Sequence, residues 1–156
     1  MDKSHIGIKS HQKGRRGHNY YQGHFEKYFK PEKYDGEYPI IFRSKLEFKY
    51  MISLERNPNV EKWSSEKIVI PYVIPEKING KVVLKQHRYF TDFIVQMKSG
   101  KICVIEIKPL AQSPRTKDSI KNSSDIRKNA YKWHHAIKFC EEKGWEFKVI
   151  TEEYIK

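Results

Sequence analysis

Apolar residues recur at helical spacing in two parts of the chain, and each part predicts an amphipathic helix. The first helix runs from about Lys45 to Arg56, begins after Ser44 and is ended by Asn57-Pro58. The second begins at Ser123 or Ser124 and closes at Gly144. The predicted apolar stripes are Leu46, Tyr50, Met51 and Leu54 on the first helix, and Ile126, Ala130, Trp133, Ile137 and Cys140 on the second.

Four apolar runs predict strands. Asn79-Gly80 indicates a type I′ hairpin turn, Ser99-Gly100 a second tight turn, and Pro109 the end of the third strand. Residues 110 to 122 read as a polar loop. The predicted order is therefore helix, three strands, helix, strand, which is an α/β arrangement. The predicted strands are Trp63 to Tyr72, Val82 to Met97, Ile102 to Lys108 and Trp145 to Thr151.

Residues 1 to 40 differ in composition and predict a basic N-terminal arm, followed by one domain over residues 41 to 156. In the first 24 residues, five cations and four glycines stand beside a single acid, Asp2. Such a stretch cannot build a core, and we expect it to be mobile unless a partner orders it. The aromatic residues from Tyr20 to Tyr38 predict an extended segment that packs across the domain. Stacking of these rings on bases is the alternative.

The composition favours a polyanionic partner. The 156 residues are enough for one domain with a core of its own. Lysine and arginine number 31 against 19 acids, which gives a net charge of +12 and a pI near 9.6. Nucleic acid is the default partner, because neutralising its phosphates releases counterions. The chain has no long apolar stretch and no basic helix with a clean apolar face, so we expect no membrane partner.

The cysteine and histidine positions argue against a secreted disulfide scaffold and against a structural zinc site. Cys103 and Cys140 fall on a predicted strand and a predicted apolar helix face, which favours buried thiols over a disulfide scaffold. The polar N-terminus shows no signal-peptide pattern, so we expect a cytoplasmic location. The seven histidines lack the close His or Cys spacing of structural zinc sites.

The most informative residues are Asp92 and the sequence Glu106-Ile107-Lys108. Counting outward from Ser99-Gly100 puts Glu106 and Lys108 on either side of the position that faces Asp92. Residues two apart on a strand share a face, so this acid and this lysine point together. Magnesium binds oxygen ligands and keeps several waters, so one or two carboxylates suffice for a site. The pattern predicts a metal-dependent phosphodiester hydrolase, and a structural ion pair between Asp92 and Lys108 is the alternative.

Glu47 has two interpretations that the residues alone leave open. With Ser44 three residues earlier it completes a capping box, which is a local role at the helix start. It also neighbours the apolar stripe of the first helix, from which a carboxylate can reach a metal site.

The order of elements, with an acid on the first helix, Asp92 on the second strand and Glu-x-Lys on the third, resembles the PD-(D/E)XK nuclease superfamily. The resemblance implies a restriction-endonuclease-like core, α-β-β-β-α-β, with a mixed sheet. It further implies that Asp92, Glu106 and the Ile107 carbonyl bind Mg²⁺ or Mn²⁺, that Lys108 positions the attacking water, and that Glu47 is an additional ligand. The superfamily places Glu47, Asp92, Glu106 and Lys108 at a catalytic site.

Most of the chain, from about Phe42 to Tyr154, resembles more closely the head-completion nucleases of T-even-type tailed bacteriophages. That family implies an endonuclease with little sequence preference that acts on packaged DNA before tail attachment. It implies portal or neck proteins as partners, and a location in the host cytoplasm during assembly or on the virion. Transposon end-cleaving endonucleases share the layout and are the alternative. The pieces are Arg43-Ser44 with Glu47, Ser65-Glu66, Ile70-Pro71-Tyr72, His87 to Phe90, Asp92-Phe93, Glu106 to Pro109 and Lys132-Trp133.

Basic residues outside the acidic site predict a surface that follows DNA phosphates. Two flank the start of the first helix, where the helix N-terminus also attracts phosphate. Others lie off the predicted apolar stripe of the second helix or in the arm. A DNA-binding plug without catalysis and an RNA-binding assembly factor are the rival functions. The candidate DNA-binding residues are Lys13, Arg15, Arg16, Arg43, Lys45, Arg127, Lys128 and Lys132.

Overall fold

The computed structural model describes residues 8–11, 18–110 and 124–155 of the chain. Its helices are α1 (Lys45–Arg56) and α2 (Ser124–Lys143), and a short 3-10 turn covers Phe25–Lys27. Its strands are β1 (Ile8–His11), β2 (His18–Tyr21), β3 (Gly23–His24), β4 (Ile41–Phe42), β5 (Val60–Ser65), β6 (Val69–Ile78), β7 (Lys81–Phe90), β8 (Phe93–Met97), β9 (Ile102–Ile107) and β10 (Glu146–Ile150).

A four-stranded mixed sheet forms the centre of the fold. Its strand order is β10-β9-β8-β5, with β9 and β10 parallel and the other two pairs antiparallel. Around this sheet the chain runs α1, β5, β8, β9, α2, β10, which is the predicted α-β-β-β-α-β order. Strand β9 is buried from Cys103 to Ile107, as expected for a strand covered on both faces.

Two predicted strands are each divided in the structure. The run from Trp63 to Tyr72 breaks at Glu66, whose φ is 52°, and the run from Val82 to Met97 breaks at Thr91-Asp92. The freed halves, β6 and β7, pair with each other in a separate hairpin. Asn79 and Gly80 form its turn with φ values of 52° and 76°, so the predicted type I′ turn is confirmed. The break at Glu66 was missed because a glutamate rarely takes a positive φ.

Helix α1 has the predicted bounds, and its buried residues are Phe48, Met51 and Leu54. It ends at Asn57, whose amide still donates to the Ser53 carbonyl at 3.0 Å. This helix packs on the face of the sheet that carries Phe93, Val95, Cys103, Ile105 and Ile107.

The predicted stripe of α2 is wrong at Ile137, which is 46% exposed. The buried residues of this helix are Asn129, Ala136 and Cys140. The helix packs on β6 as well as β10, and Ala136 lies in a cluster with Ile70, Tyr72 and Tyr89 of the hairpin. Because α2 packs against the hairpin, the face of the helix that points inward differs from the predicted stripe. Helix α2 ends at Gly144, whose φ is 73°, as predicted.

The aromatic segment before α1 belongs to the core, as predicted. Phe25 and Ile40 are fully buried, and the Phe25 amide donates to the Ile40 carbonyl at 2.8 Å. The Phe25 ring contacts Trp63 edge-on, with centroids 5.9 Å apart, and it also contacts Phe48. Gly23 allows close approach to Phe42, since a Cβ at this position would lie 2.8 Å from that ring.

Some sequence predictions concern residues that lie outside the described part of the chain. These include most of the polar loop, Ser123, and the arm cations Lys13, Arg15 and Arg16. Within the described residues, no helix has the length and apolar character needed to cross a membrane.

Candidate active site

Asp92 and Glu106 meet where β8 begins and β9 ends. Phe93 pairs with Ile105, so the next position places Asp92 level with Glu106. The Asp92 Oδ2 accepts a hydrogen bond of 2.7 Å from the Ile107 amide. The two acids therefore converge as the hairpin spacing predicted, although the register differs by one residue. The Met97 amide donates to the Lys101 carbonyl at 2.8 Å, so the turn centres on Ser99.

Glu106 is the buried acid of the site, with 5% of the residue exposed. Its Oε2 accepts a hydrogen bond of 2.5 Å from the Tyr89 hydroxyl. Its Oε1 lies 3.9 Å from Lys108 Nζ, so Lys108 forms its ion pair with Glu106 and not with Asp92, which was the structural alternative. Buried carboxylates need such partners, because leaving water costs several kcal/mol for an unpaired charge.

The electrostatics of the two acids favour a cation between them. Burial raises the pKa of Asp92 well above its usual value, and the negative charge of Glu106 raises it further. Burial also raises the pKa of Glu106, while the Tyr89 hydrogen bond and the Lys108 charge oppose that rise. Both carboxylates therefore resist ionisation, Asp92 because of its burial and the Glu106 charge, and Glu106 because of its burial. A divalent cation would relieve the burial cost and the repulsion together.

Glu47 makes one of the capping contacts predicted for it, and the charge of Asp92 also acts on its carboxylate. The Ser44 hydroxyl accepts a hydrogen bond of 3.0 Å from the Glu47 amide, which is one half of a capping box. The other half is displaced, because Glu47 Oε2 accepts from the Arg43 amide at 2.7 Å, one residue before the N-cap. Burial raises the pKa of Glu47 to about 7, and the charge of Asp92 adds to the rise. The carboxylate thus caps α1 and also faces the acidic site.

Lys132 lies at the site and not on the outer surface where its position had been predicted. Its Nζ stands 5.2 Å from the centroid of the Tyr89 ring, whose hydroxyl binds Glu106. Burial lowers the pKa of Lys132, and the charge of Glu106 opposes that decrease. Lys132 follows Asn129 by three residues and precedes Ala136 by four. A helical count from the buried residues would have found it, whereas Tyr89 was indicated only as part of the piece His87 to Phe90 that resembles head-completion nucleases.

Comparison with known proteins places this geometry in a family. The family model described as TnsA-like endonuclease N terminal matches residues 57–152, which run from before β5 to just past β10. The chain belongs to the TnsA-like endonuclease family. The matched region contains Asp92, Glu106 and Lys108, and it begins after Glu47.

A curated relative supports the same conclusion for this TnsA-like endonuclease. The chain is 30% identical over 136 residues to the head completion nuclease of Enterobacteria phage T4. The match covers 80% of this chain and 87% of that protein. The predicted PD-(D/E)XK nuclease superfamily, the restriction-endonuclease-like fold and the resemblance to head-completion nucleases are therefore confirmed.

The remaining basic candidates of the endonuclease occupy two places. Arg43 and Lys45 are exposed at the start of α1, beside Glu47, and Arg43 forms an ion pair with Glu66. Arg127 and Lys128 are exposed on α2, and the Arg127 guanidinium lies 5.9 Å from the centroid of the Tyr131 ring. Both places expose positive charge that a phosphate backbone could contact, although Arg43 would share its charge with Glu66.

The donor set of the endonuclease fits a hard divalent cation with few protein ligands. Within residues 8–11, 18–110 and 124–155, no three His, Cys, Asp or Glu side chains are grouped so that they could hold a metal ion. Asp92 and Glu106 supply two carboxylates, and the Ile107 carbonyl follows directly in β9. Mg²⁺ is commonly bound by one or two carboxylates and completes its shell with water and substrate oxygens. The arrangement therefore suits Mg²⁺ or Mn²⁺ better than zinc.

Proposed function

We propose that this endonuclease hydrolyses DNA phosphodiester bonds with Mg²⁺ or Mn²⁺ and with little sequence specificity. The observation that carries the proposal is the pair of half-buried Asp92 and buried Glu106, with Lys108 Nζ 3.9 Å from Glu106. Asp92, Glu106 and the Ile107 carbonyl would hold the metal, and Glu47 would reach it from α1 through a water molecule, because the three carboxylates are not grouped closely enough to bind one ion directly. When bound, the metal lowers the pKa of water and polarises the phosphate.

The other residues of the site have separate roles in this proposal. Lys108 orients the attacking water and neutralises charge that develops on the phosphorus oxygens. The Tyr89 hydroxyl fixes Glu106 Oε2 through its hydrogen bond of 2.5 Å. Lys132 adds positive charge next to Glu106. Arg43 and Lys45 bind the DNA backbone beside the site, because phosphate contacts fix register without reading sequence.

The biological setting follows from the phage relative. The T4 protein is named a head completion nuclease, and it shares most of its length with this chain. We propose that this endonuclease acts on packaged DNA during phage head completion. Its partners would be portal or neck proteins, and it would be found in the host cytoplasm during assembly and then on the virion. Lys13, Arg15, Arg16, Arg127 and Lys128 would extend its DNA surface.

A nicking assay with matched variants tests the proposal. Supercoiled plasmid is incubated with the parent and with Asp92→Asn, Glu106→Gln and Lys108→Met, in Mg²⁺, Mn²⁺ or EDTA. Glu146→Gln is the control, because Glu146 is an acid on β10 that pairs with Lys101 at 2.8 Å and lies away from the site. We expect nicking by the parent and the control only, and none in EDTA. Equal nicking by all variants would show that the site is wrongly assigned.

Calorimetric titration with Mn²⁺ distinguishes catalysis from a DNA-binding plug. We expect the parent to bind the metal and Asp92→Asn to bind it much more weakly. A protein that binds DNA at a stated salt concentration, cuts nothing and shows no metal binding dependent on Asp92 would be a plug instead.

A further inference from the structure

Glu66 is an exposed acid next to the candidate site. It stands at the break between β5 and β6, and its φ of 52° places it in the left-handed region, which favours glycine or asparagine. Its amide donates to the Asp92 carbonyl at 2.9 Å, so its backbone is fixed to the residue before β8. The left-handed conformation costs free energy for a glutamate, which points to a function of the side chain at this position.

The Glu66 carboxylate forms an ion pair with the guanidinium of Arg43. Arg43 precedes the N-cap of α1, and its own amide donates to Glu47 Oε2 at 2.7 Å. A guanidinium carries five N–H donors in one plane, and the contact with Glu66 uses Nη1. Half of the Arg43 side chain is exposed. Arg43 can therefore hold Glu66 and a phosphate oxygen at the same time.

These contacts form a chain of links from α1 to β9. Arg43 is linked to Glu47 through its amide and to Glu66 through its side chain. Glu66 is linked in turn to Asp92, whose carboxylate accepts a hydrogen bond of 2.7 Å from the Ile107 amide. Glu66 thus determines where the Arg43 guanidinium lies relative to Asp92.

The charges of this ion pair act on the acidic site. Burial and the charge of Asp92 raise the pKa of Glu47. The charge of Arg43 opposes this rise, and the charge of Glu66 adds to it. The guanidinium is therefore within electrostatic reach of a phosphate bound at the site. A long exposed side chain loses rotamer entropy when it binds a ligand, and the contact with Glu66 removes part of that cost in advance.

We propose that Glu66 is a positioning residue, which holds the Arg43 guanidinium at the DNA phosphate that is cut. Arg43 stabilises the charge that develops on that phosphate, whereas Glu66 touches no reacting atom. The inference rests on the proposed nuclease function. Because Glu66 is itself negative, its charge repels DNA phosphates while its contact with Arg43 favours cleavage. Loss of the carboxylate should therefore slow cleavage without weakening DNA binding.

Glu66→Gly tests this role without disturbing the backbone. Glycine takes a φ of 52° freely and keeps the amide that donates to Asp92. In single-turnover assays at saturating DNA with Mg²⁺ or Mn²⁺, we expect cleavage to slow by about tenfold to a hundredfold, somewhat less than for the loss of a transition-state donor. DNA affinity, measured by fluorescence anisotropy in EDTA at fixed salt, should equal or exceed that of the parent. The urea midpoint of unfolding should also not fall.

Matched variants separate the carboxylate from its partner. Glu66→Gln keeps an oxygen for the guanidinium and should restore most of the cleavage rate. Arg43→Gln should slow cleavage to a similar extent as Glu66→Gly. The double variant should be no slower than either single variant, because both changes remove the same interaction. Glu61→Gln, a change at an exposed acid of β5, is the control and should cleave like the parent.

Each outcome decides the inference. If Glu66→Gly cleaves as fast as the parent or faster, Glu66 only competes with phosphate for Arg43, and the inference is overturned. Weaker DNA binding or a lower urea midpoint in Glu66→Gly would assign a structural role and would also overturn it. So would a double variant in which the two losses of rate multiply. Failure of the proposed function has a different signature, namely a parent that cuts no DNA, and it would remove the inference as well.

Discussion

Replacing Glu47 with glutamine should make the protein more stable at alkaline pH. Burial and the Asp92 charge raise the pKa of Glu47 from the ordinary 4.5 to about 7. Because one pKa unit corresponds to about 1.4 kcal/mol, this rise corresponds to about 3 kcal/mol. The folded state holds the proton more tightly than the unfolded state. The stabilisation is therefore complete below pH 4.5 and is lost as the pH rises through about 7.

Glutamine keeps the shape of the side chain and an oxygen for the Arg43 amide, but it does not ionise. We therefore expect Glu47→Gln to gain on the order of 3 kcal/mol over the parent between pH 5 and pH 8.5. Urea unfolding in EDTA at both pH values measures this difference, since EDTA removes metal as a cause. Glu61→Gln, a change at an exposed acid of β5, is the control and should show no such gain.

The reasoning would be refuted by one clear result. If the difference in free energy of unfolding between Glu47→Gln and the parent is the same at both pH values, Glu47 is solvated and does not face Asp92. A gain that disappears in an Asp92→Asn background would instead assign the effect to the Asp92 charge and not to burial.

Three further predictions concern Tyr89, Lys132 and the orientation of α2. Tyr89→Phe removes the hydrogen bond that lowers the pKa of Glu106. The acidic limb of the plot of cleavage rate against pH should therefore move to higher pH. If that limb does not move, the Tyr89 hydroxyl does not have this role. Lys132→Met should reduce kcat by about tenfold to a hundredfold with little change in DNA affinity. Lys128→Met should reduce DNA affinity alone. Single-turnover cleavage assays measure the first effect and DNA-binding assays measure the second. Ile137→Ser should cost less than about 0.5 kcal/mol in urea unfolding because Ile137 is exposed. Ala136→Leu should lower the free energy of unfolding by about 1–3 kcal/mol, because Ala136 is fully buried. Equal losses in Ile137→Ser and Ala136→Leu would refute the observed orientation of α2.

The local features of this fold could be predicted from the sequence. Helix α1 was predicted at its observed bounds, because its apolar period, its Ser44 cap and Pro58 all act within a few residues. The turns at Asn79-Gly80 and Ser99-Gly100 were predicted for the same reason, since left-handed backbone favours asparagine and glycine. The meeting of Asp92 with Glu106 followed from the second turn, because a tight turn determines which residues pair.

Other features depend on contacts between residues far apart in the chain. The division of two strands depends on Glu66, whose amide donates to the Asp92 carbonyl at 2.9 Å. The inward face of α2 depends on its packing against the hairpin, and that rotation brings Lys132 to Tyr89. The sequence by itself thus determined which acids of the candidate site meet, through hairpin spacing and charge. Only the tertiary structure decided which tyrosine and which second lysine surround them, because those contacts depend on packing geometry that no local period encodes.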